Sequence, residues 1–362
     1  MTKEITIKKP FDGHVHLREI DGLMPHVLNY TARQFWGAVV MPNTEFPITT
    51  IELAKNYRRG ILKIAKENGY NDFKPIMTCY LTDNTNVKNL EIGYEKKIWH
   101  AAKLYPLGAT TNSDRGVSEI KKIYHVLEVM QEIGMPLLIH PETESARHEI
   151  PFVDRERVFI NETLNRITKD FPELIISVEH VTTKEAVQFV EDSSPNVVAT
   201  VTPQHLLYTI DALFHNGIPP YKPGMYAENM CLPILKYEED VEYLRQAIMY
   251  GNKKHKFRAG TDSAPHTENS KKDYCSRCGC YNSYVAIELY ASIFDEKGMF
   301  ENENGIKTFE KFMSSNNLWM FDIKQKEESI TLVKEEQIIP SSLPGEIRPF
   351  KAGQTIQWSI KY

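Results

Sequence analysis

The feature that most constrains the fold is a regular alternation of short apolar runs with longer, charged, helix-like stretches. The 362-residue chain contains eight such runs, which are Phe11–His16, Ala38–Asn43, Ile76–Thr82, Ala101–Pro106, Leu137–His140, Ile175–His180, Val197–Pro203 and Phe257–Asp262. Strands that alternate with helices are typical of βα units and a parallel sheet. Eight strands are the number that a closed (β/α)8 barrel, or TIM barrel, requires. We therefore predict an α/β fold in which the whole chain, residues 1–362, forms one barrel domain.

The stretches between the runs are rich in helix-forming residues and predict the helices that cover the barrel. The predicted helices are Glu52–Glu67, Val117–Ile133, Arg155–Lys169, Lys184–Asp192, Glu238–Met249 and Tyr284–Phe294. The segment Val201–Lys236 has several prolines and glycines and no clear helix, so we predict a long functional loop after strand seven. An alternating segment within the tail Gln337–Tyr362 predicts a small C-terminal strand outside the barrel.

Composition and charge argue against several classes of protein. A net charge of −5 disfavours a general nucleic-acid-binding protein, which usually carries a basic excess. The first ten residues contain no apolar signal-peptide core, and no apolar run approaches the ~18 residues that span a bilayer. Five cysteines are an odd number in a long chain, which argues against a disulfide scaffold. We therefore expect a cytoplasmic protein with neither a membrane nor a nucleic-acid partner.

Polar side chains lie at the end of most apolar runs. They are His16, Asn43, Lys103, His140, His180 and Asp262. The carboxyl ends of all strands meet at one mouth of a (β/α)8 barrel, and that mouth carries the active site in this fold. These side chains are therefore expected to converge.

His14 and His16 are candidate metal ligands, because residues i and i+2 of a strand point to the same side. Two imidazoles on one side can bind a metal ion through their nitrogen lone pairs. The alternative is a strand surface with two hydrogen-bonded imidazoles, since a His-x-His pattern also arises by chance. His140 and His180 at two other strand ends, with the carboxylate of Asp262, favour the metal site. A turn or capping role remains open for Asp262.

Lys103 lies in a run that predicts a buried strand, where lysine is rare unless it is paired. Burial favours the neutral amine over the ammonium. A neutral amine can add carbon dioxide, and the resulting carbamate has two oxygens that can bridge two metal ions about 3.5–4 Å apart. The alternative is a lysine whose stem is buried and whose ammonium reaches solvent at the barrel mouth.

Three further side chains are candidates for binding a substrate carboxylate, namely Arg18, Asn43 and His266. An arginine can hold a carboxylate through two parallel hydrogen bonds, to which an amide and an imidazole can add others. Taken singly, each of the three is also compatible with a surface salt bridge or a turn.

The segment Cys275–Cys280 contains three cysteines, which suggests a structural zinc site. Such a site needs four ligands, and the spacing offers no clear fourth ligand nearby. We therefore expect reduced thiols in a packed loop.

These residues, in this order, resemble the amidohydrolase superfamily and, within it, the bacterial-type (class II) dihydroorotases. The resemblance runs nearly from end to end, through Asp12–Arg18, Met41–Asn43, Met77–Asp83, Ala101–Pro106, Ala109–Asn112, Gly134–His140, Glu179–Lys184, Thr202–Leu206, Cys231–Lys236 and Gly260–His266. It departs at Pro141, where family members tend to have glycine, and in the segments Thr143–Val153 and Cys275–Cys280. These departures concern loop contacts, above all that of Cys278, and leave the expected metal ligands unchanged.

The resemblance implies a zinc-dependent enzyme that interconverts N-carbamoyl-L-aspartate and (S)-dihydroorotate in pyrimidine biosynthesis. It implies one zinc ion on His14, His16 and Asp262, a second on His140 and His180, and carboxylated Lys103 as the bridge between them. Asp262 would also transfer the proton. The substrate would contact Arg18, Asn43, His140, Leu232, His266 and Cys278, and the mobile loop with Thr110 and Thr111 would close over it. Because homodimers are common in the family, the resemblance also implies a homodimer.

Two alternatives remain open at this point. Another cyclic-amide hydrolase of the superfamily, such as a hydantoinase or an allantoinase, would not need Arg18 and Asn43 together. A metal-free barrel that acts as a binding or scaffold protein would not need the complete ligand set. Turnover of dihydroorotate tests the first alternative, and the zinc content of the protein tests the second.

Overall fold

The structure, a computed structural model, describes residues 3–143, 149–215, 224–273 and 276–361. Its centre is an eight-stranded parallel sheet in which the strands are neighbours in sequence order. The strands are β1 (Phe11–Val15), β2 (Gly37–Val40), β3 (Lys74–Tyr80), β4 (Ala101–Leu104), β5 (Leu137–Ile139), β6 (Ile176–Val178), β7 (Val197–Val201) and β8 (Phe257–Ala259). The chain just after β8 returns to β1 through hydrogen bonds from Asp262 N to His14 O (2.9 Å) and from His16 N to Ser263 O (3.1 Å). The predicted α/β barrel is thereby confirmed.

Each of the eight predicted strands is present, and nearly every strand residue is buried. Helices cover the outer face of a parallel sheet, so its strands are buried on both faces and read as continuous apolar runs. Most strands end before the predicted terminal residue. His16, Asn43, His140, His180 and Asp262 all follow the last paired residue of their strand, because the chain turns there into the loops of the mouth.

The longer helices lie between successive strands or after the last one. They are Met24–Gln34, Ile51–Glu67, Val87–Glu95, Tyr124–Glu132, Lys184–Asp192, Glu238–Met249, Ala286–Glu296 and Glu303–Glu310. Two predicted helices are not uniform α-helix. Residues 120–132 begin as a 3-10 turn, Ile120–Ile123, and residues 155–170 contain a π-helical turn, Ile160–Leu164, between two short α-helices. The sequence analysis missed Met24–Gln34, Val87–Glu95 and Glu303–Glu310.

The predicted loop Val201–Lys236 contains more regular structure than expected. A short helix, Pro203–Leu207, begins with the Thr202 hydroxyl accepting a hydrogen bond from His205 N, which the sequence analysis did not foresee. The loop also forms a two-stranded hairpin, Phe214–His215 with Gly224–Met225, and its residues 216–223 lie outside the described part of the chain.

The C-terminal strand forms away from the barrel sheet, as predicted. Strand Ser359–Lys361 pairs with Ser329–Val333, which in turn pairs with Glu4–Lys8 near the amino terminus. A smaller pair joins Gln337–Ile338 to Thr355–Ile356. Nothing among the described helices has the length and apolar character needed to cross a membrane.

The amino end of the barrel is filled by apolar side chains. A 3-10 turn, Leu318–Phe321, packs against inward-facing strand residues, among them Phe11, Leu138 and Val198. Close packing of this kind stabilises the barrel and leaves the opposite, carboxyl-terminal mouth to carry polar groups.

Candidate active site

The seam between β1 and the chain after β8 brings three predicted metal ligands together. His16 Nε2 lies 3.0 Å from Asp262 Oδ1 and 3.4 Å from His14 Nε2, which is itself 3.3 Å from the same carboxylate oxygen. All three side chains are buried, and their ligand atoms lie within 4.8 Å of one another. Gly13 permits the close seam, since a Cβ at that position would lie 2.6 Å from Ala259 O. The three side chains could therefore hold one metal ion.

His140 and His180 form a second pair beside this group. His140 Nδ1 lies 3.1 Å from His180 Nε2, and the rings of His14 and His180 are 5.2 Å apart between centroids. His180 and Asp262 both adopt left-handed backbone conformations, with φ of 42° and 45°. Such φ values are uncommon for residues other than glycine and tend to occur at functional sites.

Electrostatics favours the protonation states that metal binding requires. Burial lowers the pKa of His16 to about 4 and also lowers the pKa of His140 and His180, so these imidazoles are neutral near pH 7. Burial alone would raise the pKa of Asp262. The hydrogen bond from His16 and the charges of His14 and His16 outweigh it and hold the pKa at about 2, so this carboxylate is ionised. Neutral imidazole and ionised carboxylate are the metal-binding forms.

Lys103 lies within β4 and is fully buried. Its Nζ has no hydrogen-bond partner within the described ranges and lies 5.1 Å from the centroid of the Tyr105 ring. Burial lowers the pKa of this amine to about 8, although the charges of Glu179 and Asp262 oppose the shift. The predicted alternative, an ammonium that reaches solvent, does not fit this burial.

The predicted ligands and substrate contacts line one narrow cavity at the barrel mouth. Its wall comprises His14, His16, Arg18, Asn43, Tyr105, Thr110, Thr111, His140, His180, Leu232, Asp262, Ala264, Cys278 and Gly279. Lys103 and His266 are the predicted site residues that do not line it directly. The structure therefore brings most of the predicted site residues together at one mouth of the barrel.

Arg18 and Asn43 are each held by a neighbouring segment. Arg18 Nε donates to Pro265 O (2.9 Å), and Arg18 Nη2 lies 3.0 Å from His266 Nε2. Asn43 Nδ2 donates to Thr111 O (3.0 Å), whereas Asn43 Oδ1 is buried without a partner among the described residues. The fixed guanidinium and the free amide oxygen are suited to binding a ligand in the cavity.

The loop that carries Thr110 and Thr111 lies against the cavity. Thr111 Oγ1 donates to Cys278 O (3.3 Å), and Asn112 Nδ2 donates to Asn43 O (2.9 Å). His266 Nε2 is 3.1 Å from the same Cys278 oxygen. The loop, Asn43 and the segment of Cys278 are thus joined across the mouth by hydrogen bonds.

Two buried glutamates near the histidines were missed by the sequence analysis. Glu179 Oε2 lies 2.6 Å from His14 Nδ1, and Glu142 Oε2 lies 2.9 Å from His140 Nε2. In metal sites, a carboxylate on the far nitrogen of a histidine fixes the ring orientation and the tautomer. A glutamate at the end of the buried run Ile175–His180 was a usable signal for Glu179. Glu142 offered no signal beyond its nearness to His140.

Asp12 was quoted in the sequence analysis without a role. Its carboxylate accepts hydrogen bonds from His14 N (3.1 Å), Thr261 N (2.9 Å) and the Thr261 hydroxyl (2.7 Å). Asp12 therefore ties β1 to the chain after β8 directly beneath the seam that carries the candidate ligands.

The cysteine segment yields no metal cluster in the part that the structure describes. Cys278 and Cys280 are free, and Cys275 lies outside the described residues. His14, His16 and Asp262 are the single described group of three or more metal-binding histidine, cysteine or acidic side chains.

Comparison with known proteins yields relatives over the full length of the chain, although no family model matches it. The dihydroorotase of Pseudomonas syringae pv. tomato is 41% identical over 364 residues, covering 100% of this chain and 99% of the relative. That of Vibrio vulnificus is 42% identical over 360 residues, covering 99% of each.

Solved structures give the same likeness. The crystal structure of a dihydroorotase from Campylobacter jejuni has a TM-score of 0.84 and 31% identity, covering 100% of this chain and 98% of that one. The dihydroorotase of Saccharomyces cerevisiae in complex with 5-fluoroorotic acid has a TM-score of 0.86 and 29% identity, covering 99% of this chain and 98% of that one. An L-hydantoinase from Arthrobacter aurescens has a TM-score of 0.76 at 15% identity, a likeness that concerns the fold alone.

Proposed function

The chain belongs to the dihydroorotase family, whose zinc-dependent members interconvert N-carbamoyl-L-aspartate and (S)-dihydroorotate in pyrimidine biosynthesis, and we propose that the cavity is its active site. One observation carries this proposal. Four buried imidazoles, a buried carboxylate and a buried amine converge at a single barrel mouth, beside Arg18 and Asn43. Full-length relatives at 41% and 42% identity favour this activity over that of a hydantoinase.

We assign one zinc ion to His14, His16 and Asp262, and a second to His140 and His180. The donor set fits zinc, which binds imidazole nitrogens and carboxylate oxygens. Catalytic zinc sites also orient their histidines through carboxylates on the far nitrogen, a role that Glu179 and Glu142 can fill. When bound, the ions polarise the substrate carbonyl and lower the pKa of bound water.

We further propose that Lys103 is carboxylated and bridges the two ions. Its buried Nζ lacks a hydrogen-bond partner among the described residues, and the lowered pKa makes the neutral amine accessible near physiological pH. The amine lone pair attacks the carbon of carbon dioxide, and loss of one proton leaves a carbamate anion. The carbamate would place negative charge between two cations, which compensates the cost of burying it.

Asp262 is the proposed proton carrier. In ring opening, water adds to the amide carbonyl of dihydroorotate and the bond to the ring nitrogen breaks. Asp262 accepts the proton from the attacking water and delivers it to the departing nitrogen. In ring closure on N-carbamoyl-L-aspartate the same carboxylate moves the proton in the reverse direction. With a pKa of about 2, Asp262 is ionised near pH 7 and so is in the form that can accept a proton.

The substrate carboxylate is assigned to Arg18, Asn43 and His266. Arg18 is buried and held by Pro265 O, so its guanidinium is fixed before the substrate arrives. A preorganised donor loses little conformational entropy on binding, and a charged hydrogen bond is stronger than a neutral one. Backbone groups near Leu232 and Cys278, together with His140, are assigned to the ring edge, which both segments can reach as parts of the cavity wall.

Thr110 and Thr111 are assigned to a loop that closes over the substrate. The hydrogen bonds of Thr111 with Asn43 and Cys278 support this assignment, because they join the loop to both sides of the mouth. We also propose that the whole chain, residues 1–362, acts as one amidohydrolase-type domain on a small-molecule substrate. By resemblance to the family, it would work as a homodimer in the cytoplasm.

Turnover of dihydroorotate before and after chelation tests the proposal. Purified protein should contain about two zinc ions per chain, lose turnover when a chelator removes them and regain it when zinc returns. Turnover that survives complete removal of metal would exclude the assigned site. A metal-replete protein that hydrolyses hydantoin and leaves dihydroorotate intact would exclude the assigned substrate.

A further inference from the structure

Tyr105 lies in the cavity wall, and neither the sequence analysis nor the proposed function gives it a role. It follows β4 directly and is 1% exposed. Residues i and i+2 of an extended strand point to one side, so Tyr105 follows Lys103 toward the mouth. Its ring stacks on that of Tyr80, with centroids 5.1 Å apart and planes at 29°, which fixes its orientation.

The hydroxyl of Tyr105 differs from those of most other buried tyrosines. Tyr80 donates to Asn112 O (3.0 Å), Tyr57 to Arg18 O (2.7 Å) and Tyr290 to Val201 O (2.6 Å). Tyr105 Oη is buried and has no hydrogen-bond partner in the described ranges. A buried hydroxyl without a partner costs free energy, which a ligand that supplies a partner would recover.

Tyr281 is the other described tyrosine whose buried hydroxyl has no partner. It packs among Val27, Leu343 and Ile347 and does not line the cavity. The two tyrosines therefore differ in position, since Tyr105 lines the cavity with Arg18 and Asn43 and Tyr281 does not.

We propose that Tyr105 is a substrate-binding residue whose hydroxyl donates a hydrogen bond to the bound substrate. The inference rests on the proposed function, since it takes the substrate to be dihydroorotate or N-carbamoyl-L-aspartate. Both compounds offer carbonyl and carboxylate oxygens as acceptors. A tyrosine hydroxyl ordinarily loses its proton only near pH 10, so it is a hydrogen-bond donor near neutral pH. The stacked ring of Tyr80 would hold this donor in place before the substrate arrives.

The test compares Tyr105→Phe with the matched variant Tyr281→Phe, which makes the same chemical change outside the cavity. The probe is 5-fluoroorotic acid, the compound bound in the yeast relative. For Tyr105→Phe we expect the dissociation constant of the probe and KM to rise about tenfold, because one ordinary hydrogen bond is lost. For Tyr281→Phe we expect both to match the wild type. Without ligand, the unfolding temperature of each variant should be no lower than that of the wild type. Each substitution removes a buried hydroxyl that has no partner among the described residues.

Three results would overturn the inference. The first is wild-type affinity and KM in Tyr105→Phe. The second is a lower unfolding temperature of ligand-free Tyr105→Phe, which would mean that the hydroxyl has a structural partner. The third is loss of zinc from Tyr105→Phe, which would mean that the Tyr105 hydroxyl acts through Lys103. If the wild type neither binds the probe nor turns over dihydroorotate, the proposed function itself fails, and the inference fails with it.

Discussion

The two ends of the barrel use the same eight strands for opposite purposes. At the amino end, inward-facing side chains such as Phe11 and Val198 pack against the turn Leu318–Phe321. At the carboxyl end, the buried side chains are imidazoles, carboxylates and an amine. Close packing of apolar groups stabilises a fold, whereas buried ionisable groups cost free energy unless they are paired. The packed amino end therefore compensates the free-energy cost of the ionisable groups that are buried at the carboxyl end.

One side chain connects the two ends. Arg258 Nη1 lies 3.1 Å from Met320 Sδ in the amino-end turn, and Arg258 Nη2 donates to Ser177 Oγ (2.9 Å). Arg258 Nη2 is also 3.5 Å from Glu179 Oε1, and Glu179 in turn contacts His14. The charge of Arg258 helps to hold the pKa of Glu179 at about 2, although burial opposes this and the hydrogen bond with His14 contributes more. The carboxylate that orients His14 is thus itself fixed from below.

The largest expected effect at the mouth is that of Lys103→Ala. If carboxylated Lys103 bridges two ions, the variant should retain well under two zinc ions per chain and lose nearly all turnover. Addition of a short carboxylic acid such as acetate should restore part of the activity, because its two oxygens can replace those of the carbamate. Metal analysis and turnover with and without the acid check this. Full zinc content with full activity would exclude the carbamate.

Asp262→Ala should have the next largest effect. General acid–base catalysis is worth about 10²–10⁴-fold in rate, so kcat should fall by at least that factor, since the variant also loses a proposed zinc ligand. The unfolding temperature of the metal-free variant should stay near that of the metal-free wild type, since the carboxylate is held by histidine contacts at the cavity and not by the apolar core. Kinetics together with thermal unfolding check both statements. Near-normal turnover would reject the assigned proton transfer.

Leu318→Ala makes the converse change at the amino end. Leu318 is 5% exposed and packs in the apolar cluster there. Truncation of a buried leucine costs about 2–5 kcal/mol of unfolding free energy, and kcat at a temperature where the variant stays folded should be unchanged. Denaturant unfolding and kinetics would measure the two quantities. A parallel fall in kcat would mean that the two ends are not independent, with Arg258 as the connection to examine.

The same contrast explains which parts of the fold the sequence could predict. The strands were correctly predicted because burial on both faces requires continuous apolar runs. The helix Met24–Gln34 was missed because its polar residues and its proline in the first turn obscure it. Its buried residues Met24, Val27, Leu28 and Thr31 nevertheless have helical spacing, so the signal was present.

The site could be predicted as a set of residues and not as a geometry. The run-terminal positions of His140, His180 and Asp262 indicated convergence, because all strands of the barrel end at the same mouth. The left-handed backbone of His180 and Asp262 depends on contacts between segments far apart in the chain. So do the surroundings of the Tyr105 hydroxyl, which has no partner among the described residues. No local pattern encodes such contacts. A single polar residue in an apolar run, as with Lys103 and Glu179, was the one local clue to buried partners.

Among these four variants, Arg18→Met has the smallest expected effect and the most specific one. The guanidinium is fixed by Pro265 O and lies beside His266. Its loss removes a preformed contact and none of the proposed metal ligands. A hydrogen bond to a charged group is worth about 1.5–3 kcal/mol, so KM should rise about 10- to 100-fold while zinc content and unfolding temperature stay at wild-type values. Asn43→Ala, which alters the neighbouring amide, provides a second measurement of the same contact region. If KM in Arg18→Met matched the wild type while kcat fell, the arginine would act on the transition state, and the carboxylate would have to bind elsewhere in the mouth.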